Sequence, residues 1–170
     1  MRATKFGITL AAIVGVIGLS LTSPAIAAEK STAMVFRSTV TSIGTTLNEL
    51  PGGIRYGWNN LQGTTAWGNQ SATMQFLGDV DYVNGSGPFN GYVTVKRADG
   101  VTIAFHVSGS ALAAPDGKGG TLTTFAGKAE VIGGTGKFEG ATGIGTMVGT
   151  RAAALGSPVR LTFKLDVLKK

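Results

Sequence analysis

Apolar and polar residues alternate along much of the chain, which is the pattern of β-strands that have one buried and one exposed face. The alternation is clearest over residues 101–108 and 159–167, where Val, Ile, Leu and Phe occupy every second position. After the first 27 residues, no segment keeps an apolar period of 3.6 long enough to predict a helix. The pattern therefore predicts an all-β domain with strands near residues 33–43, 54–67, 70–82, 89–97, 101–111, 121–132, 137–149 and 158–168.

The segments between these strands are rich in turn-forming residues. Residues 84–88, 98–100, 115–120 and 133–136 are composed largely of Gly, Asn, Asp, Pro and Ser, several of which tolerate a positive φ. Strands joined by short turns favour an antiparallel meander, and such a sheet removes its unpaired edges by closing on itself. We therefore predict a single eight-stranded antiparallel β-barrel and favour it over a sandwich.

The first 27 residues have the layout of a secretory signal peptide. Arg2 and Lys5 precede an uncharged segment over residues 6–21, and Ala25 and Ala27 are small enough for the pockets of signal peptidase. The alternative is a retained transmembrane anchor, which needs roughly 20 apolar residues to cross the bilayer. The uncharged segment over residues 6–21 is shorter than that. We expect cleavage between Ala27 and Ala28, a barrel domain over residues 28–170, and a secreted or periplasmic protein. Export as an unfolded chain also predicts that no cofactor is loaded beforehand.

Charge and cysteine content narrow the classes of function. Residues 1–27 contain two of the 15 Lys and Arg residues and none of the 9 acids, so the mature chain has a formal charge of +4. Its cations are scattered apart from Lys169 and Lys170, which argues against a nucleic-acid-binding stripe. The chain has no Cys, which excludes disulfides, thiol nucleophiles and thiolate metal sites.

Two segments resemble a known family. Residues 133–143, with the sequence GGTGKFEGATG, resemble the hairpin signature of plant allene oxide cyclases and dirigent proteins, and residues 158–165 resemble the last strand of that barrel. The resemblance implies an eight-stranded barrel, often trimeric, whose apolar lumen steers the cyclisation of a reactive intermediate by shape, without cofactor or metal. It also implies that Gly133, Gly134 and Gly136 form the hairpin and that Phe138 enters the following strand.

The chain departs from that family at the catalytic positions. Plant cyclases have a glutamate in an early strand and a cysteine in the lumen, whereas residues 34–40 contain no acid and the chain contains no Cys. The resemblance therefore transfers no catalytic residue to this chain.

Two residues are weak candidates for catalysis. His106, the sole histidine, would have to be the base of any Ser-His-Asp arrangement, but no Gly-x-Ser-x-Gly motif accompanies it, and a surface or subunit-contact histidine is the alternative. Glu130 shares a strand face with Lys128 and Ile132, which would place a carboxylate in the lumen, and a position at the barrel rim is the alternative. One His and no Cys predict no metal site.

Aromatic residues suggest a ligand cavity, although eight strands also enclose a space that side chains alone can fill. The candidate lining residues are Tyr56, Trp58, Trp67, Phe76, Phe105 and Phe163. The first functional hypothesis is an exported barrel that binds a small hydrophobic molecule in its lumen, either as a binder or as a cofactor-free cyclase or isomerase. The second is a structural or interaction protein that assembles through the barrel exterior.

Overall fold

The computed structural model describes residues 31–152 and 156–169. The predicted signal peptide lies outside these residues. Eight strands follow one another around a closed antiparallel barrel, which confirms the predicted fold. In chain order they are β1 (Ser31–Leu50), β2 (Ile54–Trp67), β3 (Gln70–Val83), β4 (Gly87–Arg97), β5 (Thr102–Pro115), β6 (Thr121–Gly134), β7 (Thr142–Ala152) and β8 (Val159–Leu168).

The connection between β6 and β7 differs from the prediction. Gly136–Phe138 forms a 3₁₀ turn, closed by a hydrogen bond from the Glu139 N–H to the Gly136 carbonyl, and β7 begins only at Thr142. Gly136 has a φ of 59°, which a glycine adopts without a steric penalty and which interrupts the extended chain. Phe138 therefore lies in the turn instead of the strand, and its side chain is buried against the barrel core.

The strands of the barrel are staggered, and side chains fill the middle of the lumen. When the residue pairs are followed once around the barrel from Ser42, the circuit returns to β1 at Thr32, ten residues away. An eight-stranded barrel encloses a space that side chains can just fill. In its middle, Phe105 and Phe163 are fully buried, with ring centroids 5.0 Å apart.

The two ends of the barrel differ. The turns at 68–69, 98–101 and 135–141 lie at one end, where the Trp67 ring packs against Phe36 and Phe138 at centroid distances of 5.5 and 5.3 Å. We call this the closed end. The turns at 51–53, 84–86 and 116–120 lie at the opposite, open end. Within the described residues, no helix is long and apolar enough to cross a membrane.

Candidate ligand site at the open end of the barrel

The lumen keeps a small apolar cavity below the open end. Its volume is about 50 Å³, which is room for a few water molecules or a short alkyl group. Aromatic rings form part of its wall, with Phe89 packed edge-on between Phe76 and Phe125 at centroid distances of 6.5 and 6.1 Å. Leu47, Leu61 and Met147 line it as well. The buried rings of Phe105 and Phe163 in the middle of the barrel separate this cavity from the closed end.

A wider, more polar basin lies above the cavity. Its volume is about 310 Å³, and Glu49, Arg55 and Thr123 are among the residues that line it. Tyr82 and Arg151 line both the basin and the cavity, so they stand at the boundary between the two. A molecule bound at this end would contact apolar side chains at one extremity and polar groups at the other.

Strand alternation places Tyr82 and Arg151 in the lumen. Residues 72, 74, 76, 78, 80 and 82 of β3 face inward, and so do residues 147, 149 and 151 of β7. Successive side chains of a strand point to opposite faces, so a polar residue in the inward series is carried into the barrel with its apolar neighbours. Both residues lie near the ends of their strands, which puts them at the mouth of the lumen.

Arg151 is a buried cation with few partners. Its side chain is 6% exposed, and its guanidinium lies 5.6 Å from the centroid of the Phe125 ring. Nη2 donates a hydrogen bond to Thr123 Oγ1 at 3.3 Å, while Nε is buried and has no hydrogen-bond partner among residues 31–152 and 156–169. Within the described chain, the ion pairs are Arg55 with Glu49 and Arg97 with Asp99, so no carboxylate there neutralises Arg151.

The environment of Arg151 disfavours its charge without removing it. Burial lowers the pKa of Arg151, nearby Tyr82 opposes this effect, and the positive charge of Arg55 adds to it. A guanidinium nevertheless stays protonated in proteins because its ordinary pKa is so high. The mouth of the lumen therefore holds a positive charge that its described neighbours do not balance.

Tyr82 contributes a neutral donor. Its side chain is 2% exposed, and burial raises the pKa of Tyr82 to about 12, with Arg151 acting in the opposite direction. The hydroxyl is protonated at neutral pH, as any tyrosine is, and burial keeps it protonated further into the alkaline range. Deeper in the lumen, the amide oxygen Oδ1 of Asn59 accepts hydrogen bonds from Ser42 at 2.6 Å and from Thr45 at 2.8 Å.

The six aromatic residues predicted to line a cavity fall into two groups, four inside the barrel and two on its outer face. Trp67, Phe76, Phe105 and Phe163 are buried inside the barrel, but among them only Phe76 lines the open-end cavity. Tyr56 and Trp58 lie on the outer face, 55% and 48% exposed, and do not line the lumen. The inward series of β2 consists of the odd-numbered residues through Trp67, so these two even-numbered residues point outward.

Glu130 also lies outside the lumen. Phe125, Ala129 and Val131 form the inward face of β6, while Glu130 and Lys128 are exposed on the outer face. β6 carries apolar residues in both phases, and the barrel buries the phase that contains Phe125. Of the two placements considered for Glu130, the lumen is therefore wrong, because that position faces solvent.

His106 is half-buried on the outer face of β5. Its Nε2 lies 2.6 Å from Oδ1 of Asn90, its ring lies 5.1 Å from the Tyr92 ring, and the register pairs it with Glu130. This position is far from the lumen side chains of the same strand, which point the opposite way. Across residues 31–152 and 156–169, no three His, Asp or Glu side chains group together as metal ligands would.

Arg151 was not among the predicted site residues, because the predicted seventh strand ends at residue 149 and β7 continues to Ala152. A signal was present, since Arg151 follows Met147 and Gly149 in the inward series of β7, where a charged residue is out of place. No protein-family model matches the chain, and no curated protein matches it, so the site is interpreted from its own geometry.

Proposed function

We propose that the protein binds a small apolar molecule at the open end of its barrel. The observation that carries the proposal is the cavity walled by Phe76, Phe89 and Phe125, which shares Tyr82 and Arg151 with the basin at the open end. Functional pockets usually combine an apolar lining with a few polar groups that orient the ligand, and Tyr82 and Arg151 provide such groups here. The inner volume of about 50 Å³ limits the buried part to a short alkyl chain or a similar group.

The resemblance to allene oxide cyclases and dirigent proteins suggests an enzymatic form of this proposal. A cofactor-free cyclase or isomerase would hold a flexible substrate in its reactive conformer and exclude water, which is catalysis by orientation. The neutral Tyr82 hydroxyl would then be available to orient a substrate oxygen. Binding comes first in either case, so binding is the property to test.

The test uses 1-hexanol as a neutral probe, and its binding is measured by amide NMR shifts and by calorimetry. We expect saturable binding that shifts amides near Leu61, Val80 and Met147 and leaves those near Trp67 unchanged. Val80→Phe fills the cavity and should abolish binding, whereas Val148→Phe adds the same ring to the exposed outer face and should not. Absence of binding to the wild type, or equal binding by Val80→Phe, would exclude the proposed site.

A strip of exposed apolar residues supports a second candidate function, assembly of identical copies through the barrel exterior. Leu77, Tyr92 and Ile144 are 45%, 54% and 73% exposed, and the register places Leu77 beside Tyr92 and Ile144 beside Glu130. The register places His106 and Glu130 between Tyr92 and Ile144, so these apolar side chains share one outer face with two polar ones. Large exposed apolar patches rimmed by polar residues are typical of protein–protein contact sites. Lys128, next to this strip, offers Glu130 of another copy a charge of opposite sign.

Sedimentation velocity over a range of concentrations tests the assembly. We expect a concentration-dependent oligomer, a trimer by the family resemblance, that dissociates in Ile144→Lys. Thr150→Lys introduces the same charge on the exposed face of the same strand, away from the strip, and should leave the oligomer intact. A monomer at all concentrations would rule out this function.

We also propose that the barrel acts outside the cytoplasm, on the strength of the signal-peptide pattern in residues 1–27. Intact-mass measurement of protein recovered from the periplasm or the medium should give a chain that begins at Ala28. An uncleaved chain in the membrane fraction would contradict export as a free domain.

A further inference from the structure

Arg151 indicates the chemical class of the ligand. We propose that the open end binds a small amphipathic carboxylate, with the carboxylate on Arg151 in the basin and the apolar part in the cavity. The inference rests on the proposed function and adds the charge of the ligand to it. Arg151 is 6% exposed, and its Nε has no hydrogen-bond partner in the part of the chain that the structure describes.

A buried charge is costly unless another charge or several hydrogen bonds compensate it. Among the described residues, the guanidinium has one side-chain hydrogen bond, to Thr123 at 3.3 Å, and a contact with the Phe125 ring, which replace only part of the hydration that it has lost. An anion in the basin would supply the missing compensation. The guanidinium donates several hydrogen bonds in one plane, a geometry that matches a carboxylate.

The charges around the basin fit one negative charge. Glu49 pairs with Arg55 at 2.8 Å, which leaves Arg151 as the unbalanced charge among the described residues that line the basin. Asp79 borders the cavity, but it belongs to the outward series of β3 and is exposed on the outer face. One unbalanced cation matches a monoanion such as a carboxylate better than a phosphate dianion.

The position of Arg151 also explains why the ligand should be amphipathic. The residue lines both the basin and the cavity, so a carboxylate that contacts it can extend an alkyl chain toward Phe89 and Met147. The Tyr82 hydroxyl lies at the same boundary and can donate a second hydrogen bond. The two halves of the site thus select the two halves of one molecule.

The experiment compares hexanoate with 1-hexanol, which have the same chain length and differ in charge. By calorimetry at neutral pH, we expect wild-type protein to bind hexanoate at least about tenfold more tightly, as expected for a charge-assisted hydrogen bond. Arg151→Gln should remove this preference. Arg160→Gln lowers the net charge equally at an exposed position on β8 and should preserve it.

The possible outcomes separate the two proposals. Equal affinities for the two probes in the wild type, or an equal loss of preference in Arg160→Gln, would overturn the carboxylate site and leave the apolar site standing. Failure of both probes to bind would overturn both proposals. Thermal unfolding checks that each variant folds, and if Arg151→Gln does not fold, the comparison of the two probes on wild-type protein decides.

Discussion

The polar residues at the mouth of the lumen show how burial acts on single side chains. The same desolvation raises the pKa of Tyr82 and lowers that of Arg151, because in each case it disfavours the charged form. For Tyr82 the result is a neutral hydroxyl over the whole physiological range. For Arg151, which cannot lose its proton at such pH values, the result is a charge held at a cost to stability.

Tyr82 should make the stability of the protein depend on pH in the alkaline range. Its pKa is about 12 in the folded protein and 10.0 ordinarily, so the unfolded chain releases the proton first. The contribution is complete below pH 10 and is lost as the pH rises toward 12. Tyr82→Phe lacks this group. Between pH 10 and pH 12, the unfolding free energy of the wild type should therefore drop by on the order of 2 kcal/mol more than that of Tyr82→Phe.

Urea unfolding at several pH values between 9 and 12 measures this difference. Other groups also titrate in this range, so the comparison needs a variant that loses a tyrosine hydroxyl elsewhere. Tyr56→Phe serves, since Tyr56 is 55% exposed on the outer face. It should follow the wild type. If the unfolding free energies of Tyr82→Phe and the wild type change equally with pH, Tyr82 is not buried as described.

At the scale of single elements, β2 illustrates the effect of strand alternation. Trp58 and Trp67 lie in the same strand, nine residues apart, and therefore face opposite sides of the sheet. Trp58 is 48% exposed, while Trp67 is 8% exposed and packs against Phe36 and Phe138. Two residues of the same type thus have different roles because of their parity alone.

Fluorescence quenching by acrylamide tests the orientation of β2. The chain has only two Trp residues, so Trp67→Phe leaves Trp58 as the emitter and Trp58→Phe leaves Trp67. We expect strong quenching of Trp58 and weak quenching of Trp67, with the latter emitting at shorter wavelength. Equal quenching in the two variants would contradict the inward and outward assignment of this strand.

The 3₁₀ turn between β6 and β7 closes one end of the barrel. Phe138 is 1% exposed, so Phe138→Ala should create a cavity and lower the unfolding free energy by about 3–5 kcal/mol. Leu112→Ala removes a side chain that is 63% exposed and should change it by less than about 0.5 kcal/mol. Denaturant unfolding measures both changes. A loss under about 1 kcal/mol for Phe138→Ala would show that the turn does not seal the core.

At the scale of the whole molecule, glycines at inward positions of the strands help to determine the shape of the lumen. Neighbouring strands of the barrel come close to one another where an inward position carries no side chain. A Cβ on Gly109 would collide with the backbone oxygen of Ala126 and would lie 2.6 Å from Cζ of Phe89. Glycine at this position therefore leaves space for the Phe89 ring.

Gly109→Ala should lower stability by about 1–3 kcal/mol, because the backbone of β6 and the Phe89 ring must both move. Gly44→Ala is the matched control, since its nearest neighbour, Cβ of Asn60, would lie 4.0 Å away. Denaturant unfolding compares the two variants. If both cost the same, the close approach of the strands at Gly109 is not a constraint on the barrel.

The sequence by itself determined the number of strands, most of their boundaries and the closed barrel. These follow from local alternation, from turn residues and from the need to cover sheet edges, and the structure agrees with them. It erred where a glycine-rich segment could be either turn or strand, as at Gly136–Phe138. The choice between turn and strand depends on the packing of Phe138 against Trp67, which is distant in sequence.

Only the tertiary structure decided which face of β2 and β6 is inward and which end of the barrel is open. β2 and β6 carry apolar residues in both phases, so Trp58 and Glu130 could not be oriented from their own strands. Their phase is fixed by register with neighbours that are distant in sequence. The site around Tyr82 and Arg151 exists for the same reason, since barrel closure brings β3 and β7 to one lumen, and no local pattern contains both residues.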